Sequence, residues 1–163
     1  MQKKRTFEDV WDVIDISVYI LVGYALLDLF FSVSTYVERL FPAAILGIVL
    51  MIIAYGSIGY IGRKEKLEQT DINKSGAYAG LIIGLASAII GIISFYVYPE
   101  KMTETIMKAV EAGADAAMVQ TITKIGTYVN LVLSPAINAG LGALIALISG
   151  NIFKKKFEEK KKK

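Results

Sequence analysis

The chain has 163 residues, 55% of them hydrophobic, with 18 basic and 15 acidic side chains and a formal net charge of +3. It contains neither cysteine nor histidine. Disulfides, thiolate metal centres and cysteine nucleophiles are thereby excluded, and so are the commonest general base and the usual metal ligand. The charges crowd into the first fifteen residues, 63–74, 100–124 and the tail from Lys154, leaving long runs almost free of charge between them.

The start M-Q-K-K-R is basic, but F-E-D-V-W-D-V-I-D follows with four acids ahead of the first apolar run. No small-residue cleavage site closes a short apolar region, so this run is expected to stay in the mature protein. A helix needs about 20 apolar residues to cross a bilayer. Four runs qualify: Ile16–Val37, Leu40–Gly62, Ala77–Tyr98 and Ile125–Phe153. The first carries one charge, Asp28, and the other three carry none. Helices of a soluble bundle keep a charged face outward, and these have no such face. The expectation is a single all-α membrane domain over residues 1–163, with four transmembrane helices.

Orientation follows the basic residues. Three lie before the first run, four between Arg63 and Ser75, and seven in the tail, against Arg39, Lys101, Lys108 and Lys124 on the opposite side. Fourteen against four places both termini in the cytoplasm of a multi-pass cell-membrane protein. Trp11, Tyr36, Phe41, Tyr60, Tyr98, Tyr128 and Phe153 fall near the predicted edges, where amphipathic rings prefer to lie.

Between the third and fourth runs, 99–124 reads as an extracytoplasmic amphipathic helix-turn-helix. Pro99 suits a first helical position. Met102, Ile106 and Val110 recur at four-residue spacing among charged residues. Gly113 can close that helix and Asp115 can cap the next, which runs on through Met118 and Ile122 into the fourth span. The segment suits either a lid or partner surface, or an amphipathic connector lying on the membrane. The tail K-K-K-F-E-E-K-K-K-K suits a cytoplasmic anchor beside anionic headgroups, and no aromatic-rich basic fold accompanies it to suggest nucleic acid.

Other short motifs fail their own chemistry. D-I-N-K-S-G, Asp71–Gly76, copies the start of a calcium loop, but position twelve is Ile82 where a bidentate glutamate is required; a cap before the third span explains it better. Asn73–Ser75 matches a glycosylation sequon on the cytoplasmic side. Gly140-x-Gly142 lacks the third glycine of a dinucleotide fingerprint, and no Walker loop or nucleophile elbow occurs. The expected function is therefore non-enzymatic, with no cofactor and no metal.

Small residues form a clearer pattern. Gly76, Gly80 and Gly84 recur every four residues and Ala88 continues the series, on one face of a helix. The fourth span carries Ala136, Gly140, Ala143, Ala146 and Gly150, and the second carries Gly56, Gly59 and Gly62. Bare faces let backbones approach, and packing is the main attraction between helices in lipid. Such a glycine-zipper-like seam serves either one four-helix bundle or self-association.

A glycine-rich span ending in Tyr98-Pro99, a charged helix-turn-helix, the small-residue span L-S-P-A-I-N-A-G-L-G-A-L-I-A-L-I-S-G and a lysine cluster follow one another over about Leu67–Lys156. This layout resembles an uncharacterised family of small four-helix membrane proteins, classed only as a domain of unknown function. The resemblance implies four spans and no established activity. Proteins of the Yip1 type also have a proline-bearing late span, but usually five spans in all.

One polar pattern remains. Asp28 shares a helical face with Ser17, Tyr24, Ser32 and Thr35. The fourth span answers with Asn130, Ser134 and Asn138, with Pro135 freeing a carbonyl one turn earlier. Counted inward from the predicted edges, Asp28 lies at about the depth of Ser134 and Asn138. A charge there is costly, so a protonated Asp28 bonded to Asn138 or Ser134 is expected, either as a polar staple or as a proton or cation site. Two functions follow. One is assembly in the lipid bilayer, as a homo-oligomer or as an accessory subunit with other membrane subunits. The other is a minimal channel or transporter subunit using Asp28.

Overall fold

The computed structural model of the protein describes residues 7–31 and 43–160. Ser32, Thr35, Tyr36, Arg39 and Phe41 lie outside these, as do the side chains of Lys101 and Met102. The described residues are helical, with no strand among them. In chain order the helices are α1 (Phe7–Phe31), α2 (Ala43–Lys64), α3 (Gln69–Val97), α4 (Pro99–Glu111) and α5 (Ala116–Lys160). Four stretches are long and apolar enough to cross a membrane: Val10–Phe31, Ile45–Lys64, Gln69–Val97 and Ala116–Lys154.

All four starts differ from those expected: the second is at Ile45 where Leu40 was expected, residues 40–42 lying outside the described ones, and the fourth is at Ala116 where Ile125 was expected. The first begins at Val10, ahead of Ile16, and its added turn puts Val13 and Ile14 into the core beside the acids Asp12 and Asp15. The third begins at Gln69, so D-I-N-K-S-G lies inside helix α3 and does not cap it. Glu68 holds the cap position and makes no side-chain cap bond.

Between 22% and 28% of each apolar window is buried inside the protein. Most of the apolar surface therefore points outward, including Ile48, Ile52, Leu81, Leu85, Ile89 and Leu144. In water so large an apolar surface would drive aggregation. In lipid it costs nothing, and the backbone bonds of each helix are satisfied within it.

The helices close a four-cornered bundle in which α3 packs most extensively on α5, α5 on α2, α2 on α1 and α1 on α3. Among the described residues α1 and α5 have no Cα pair within 8 Å. The core cluster joins Val13, Ile14 and Val18 of α1 to Tyr55 and Ile58 of α2, Ile72, Ala79 and Ile83 of α3, and Ala146 of α5.

Two turns of one design link the helices at opposite ends. After α2, Lys66 takes a left-handed conformation with φ 56°. Its N–H donates to the Arg63 carbonyl (3.1 Å) while the Leu67 N–H reaches back to Gly62 (2.8 Å). After α4, Gly113 (φ 93°) donates to Val110 (2.8 Å) and Ala114 donates to Ala109 (3.0 Å). Both patterns satisfy carbonyls that a helix end leaves open. Asp115 then caps α5 by accepting the Met118 N–H at 2.8 Å. The roles read from sequence for Pro99, Gly113 and Asp115 all appear here, and α5 is one helix from the turn to the tail. At 45 residues it is about 67 Å long, roughly twice the ~30 Å of a bilayer's hydrocarbon core.

Candidate functional site

Glycine places α5 against α3. A Cβ built on Gly84 would lie 2.5 Å from the Pro135 Cα, and one on Gly76 would lie 2.7 Å from the Ala146 Cβ. One on Gly80 would strike the Asn138 carbonyl, and one on Gly142 the Gly76 carbonyl. The pairs Gly84–Pro135, Gly80–Asn138 and Gly76–Gly142 step one turn at a time in opposite directions along two antiparallel helices. Buried Ala88 continues the α3 face. On α2, a Cβ on Gly59 would meet Ser149 and Gly150, so α2 runs parallel to α5 at similar closeness.

Against this frame the buried polar side chains find partners. Tyr55, fully buried on α2, reaches across to α5, where its hydroxyl donates to Asn138 Oδ1 at 3.2 Å. The Asn138 amide nitrogen turns back along its own helix to the Ser134 carbonyl (2.9 Å) and Ser134 Oγ (3.3 Å). This is the level of Pro135, which cannot donate a backbone hydrogen bond to the preceding turn. A second knot joins α1 to α2: Ser17 Oγ donates to the Ala54 carbonyl at 2.7 Å and lies 3.3 Å from Ser57 Oγ. Among the described residues no buried side-chain polar atom lacks a partner.

The polar seam expected from sequence is thus partly assembled. Ser134 and Asn138 come together, with Tyr55 as their partner. Tyr55 was not singled out from sequence, since a tyrosine between apolar residues carries no signal of which helix it will reach. Asn130 is exposed on α5 and joins no such contact. Ser32 lies outside the described residues. Tyr24 and Asp28 are half-buried on α1 and keep other interactions. The pairing of Asp28 with Asn138 or Ser134 stays an expectation: α1 and α5 stand at opposite corners of the bundle, with no Cα pair within 8 Å among the described residues.

The small-residue expectations divide in the same way. Gly76, Gly80, Gly84 and Ala88 face α5. On α5 the touching face is Asn138, Gly142 and Ala146. Gly140 is exposed with nothing within 4 Å of its Cβ position, Ala143 is half-buried and Ala136 is exposed.

At one end of the bundle a polar clamp ties three segments. Arg63 Nε donates to the Gly150 carbonyl (2.8 Å), its Nη1 to the Leu67 carbonyl (3.2 Å) and its Nη2 to Gln69 Oε1. Gln69 in turn donates to Asn73 Oδ1 (3.0 Å) and the Leu147 carbonyl (3.4 Å). Tyr60 stacks edge-on against Phe153, with ring centroids 5.1 Å apart, and also touches Phe157. At the other end the hydroxyls of Tyr96 and Tyr128 bond to each other. These aromatic pairs mark two levels on the bundle, and α4 with the first turns of α5 extends beyond the second. No family model, curated protein or solved structure matches the chain.

Proposed function

We propose that this protein is a non-enzymatic membrane component that works by assembly, as a homo-oligomer or as a subunit of a larger membrane complex. The observation that carries this reading is the contrast within the bundle. Among the described residues every buried side-chain polar atom has a hydrogen-bond partner within the bundle, often a backbone carbonyl, so the four-helix body is spent on holding itself together. The surface left for function is the apolar outside and the α4–α5 hairpin.

In this reading the hairpin is extracytoplasmic, and both chain ends lie in the cytoplasm of a cell-membrane protein. Support comes from the clustering of Arg63, Lys64, Lys66, Lys74, Lys154 and Lys156 at the end opposite Lys108 and Lys124. Lipid covers the remaining apolar faces. The native mass in lipid nanodiscs tests the assembly: a complex heavier than one chain is expected, and a strict monomer would overturn it. Cysteines placed singly at the exposed positions Glu65 and Thr103 test the threading. An impermeant thiol reagent added outside intact cells should label position 103 and spare position 65, and the reverse would invert the topology.

A further inference from the structure

The outer half of α5 presents a face that nothing in its own chain covers. Met118, Ile122, Ile125, Val129 and Val132 are between 47% and 73% exposed. Their spacing is four, three, four, three, the repeat that keeps one apolar seam facing a partner helix in a left-handed coiled coil. The hairpin partner α4 does not occupy this face: the half-buried residues of the same stretch are Val119, Thr123 and Thr127, on another side of the helix. The hydroxyls of Thr121, Thr123 and Thr127 are folded back onto carbonyls one turn earlier, at 2.8, 2.8 and 3.0 Å.

We infer that this face binds the same face of a second copy, as a parallel helix pair extending beyond the bundle. The inference deepens the assembly reading and rests on it. Four observations favour a second copy over other occupants. A second copy in the same bilayer with the same topology carries the stripe at the same height, so the two repeats meet in register without adjustment. Lipid imposes no heptad spacing, and the stripe begins ten residues before Tyr128, which marks the end of the bundle. The residues flanking the stripe, Val119, Thr121, Gly126 and Tyr128, are uncharged, so a symmetric pair sets no like charges together. The face also carries enough surface: a pair would bury on the order of 1,000 Å² in total, the lower bound of a specific interface. Further down the same side of α5, Ala136 and Gly140 are exposed, and the open space at Gly140 would let the two helices stay close as they enter the lipid.

The chain has no cysteine, so single cysteines report contacts cleanly. Ile122→Cys, Ile125→Cys and Val129→Cys would be oxidised in native membranes, alongside Gln120→Cys and Lys124→Cys on other exposed sides of α5. The expected result is a doubling of mass on a non-reducing gel for the first three and none for the last two. Equal crosslinking at all five positions, or none at the first three, overturns the inference. If crosslinking fails while the native mass still exceeds one chain, this face is the wrong one and the assembly reading stands. If the native mass is that of a monomer, both fall.

Discussion

The two halves of α5 solve opposite problems with one helix. From Ser134 to Gly150 its inward face is serine, asparagine, glycine and alanine, and the backbones of α2 and α3 come to it closely enough that several added methyl groups would collide. From Met118 to Val132 its outward face is methionine, isoleucine and valine, all exposed. Within lipid, a large apolar side chain gains nothing from a neighbouring helix that it would not gain from an acyl chain, so close fit and hydrogen bonds must supply the adhesion. In the proposed topology the first turns of α5 stand outside lipid, where the hydrophobic effect would make large side chains the adhesive.

The sharpest way to break this comparison is Gly80→Leu. The new side chain would begin where the Asn138 carbonyl already lies, and both helix backbones would have to move. Overpacking a fitted core costs about 1–3 kcal/mol and sometimes more, and here the obstacle is backbone. The variant should lose its cooperative thermal transition in detergent or melt far below the parent. Gly91→Leu on the same helix, with nothing within 4 Å of its Cβ position, should melt at or above the parent temperature. Similar melting of the two variants would show that the seam is not tight.

Next in size is Arg63→Gln. The guanidinium serves acceptors on the 65–68 turn, on α3 and on α5 at once. Hydrogen bonds to a charged donor contribute about 1.5–3 kcal/mol when well buried, and half-burial sets the expected loss near the lower figure. Arg63→Lys should recover little of it, because a single ammonium cannot span three divergent acceptors. Full recovery by lysine would mean that the charge matters and the fork does not.

How much of this was written in the sequence depends on the range of the force involved. The four helices were legible, because a run of apolar residues long enough to span lipid has few other fates. So were the turn at Gly113 and the cap at Asp115, whose partners lie within five residues. The α3 stripe Gly76–Gly80–Gly84 announced a close neighbour, since spacing alone puts it on one face. Its counterpart on α5 was only half legible: Asn138, Gly142 and Ala146 make the seam, while Gly140 and Ala136 have the same composition and face outward. Which side of a helix turns inward is fixed by its rotation in the bundle, and no local pattern states that.

The hairpin offers a smaller test of the outer region. Asp115→Ala removes the acceptor for the Met118 N–H, and loss of such a cap costs about 1 kcal/mol. Because α4 touches the bundle lightly, the loss should appear locally, as faster amide exchange over the first turn of α5 with little change in the melting of the whole. A fall in global melting as large as that of Gly80→Leu would mean that hairpin and bundle unfold as one unit, against the division drawn between the two halves of α5.

The smallest effect expected is also the most specific. Tyr55→Phe keeps the ring that fills the space over Gly142 and removes the hydroxyl that donates to Asn138. The ring keeps its packing, so no cavity opens. The Asn138 carbonyl oxygen loses its partner, but the amide nitrogen keeps both of its bonds to Ser134. Hydrogen bonds between membrane helices average about 0.6 kcal/mol and rarely exceed 1.7, so a shift of that order in the unfolding free energy is predicted. Asn138→Ala should cost more, because it strands the Tyr55 hydroxyl and also uncouples Ser134. In a double-mutant cycle the two losses should fall short of additive by about the value of the single bond. Strict additivity would show that Tyr55 and Asn138 do not hold each other, and the joining of α2 to α5 would then rest on the glycine contacts alone.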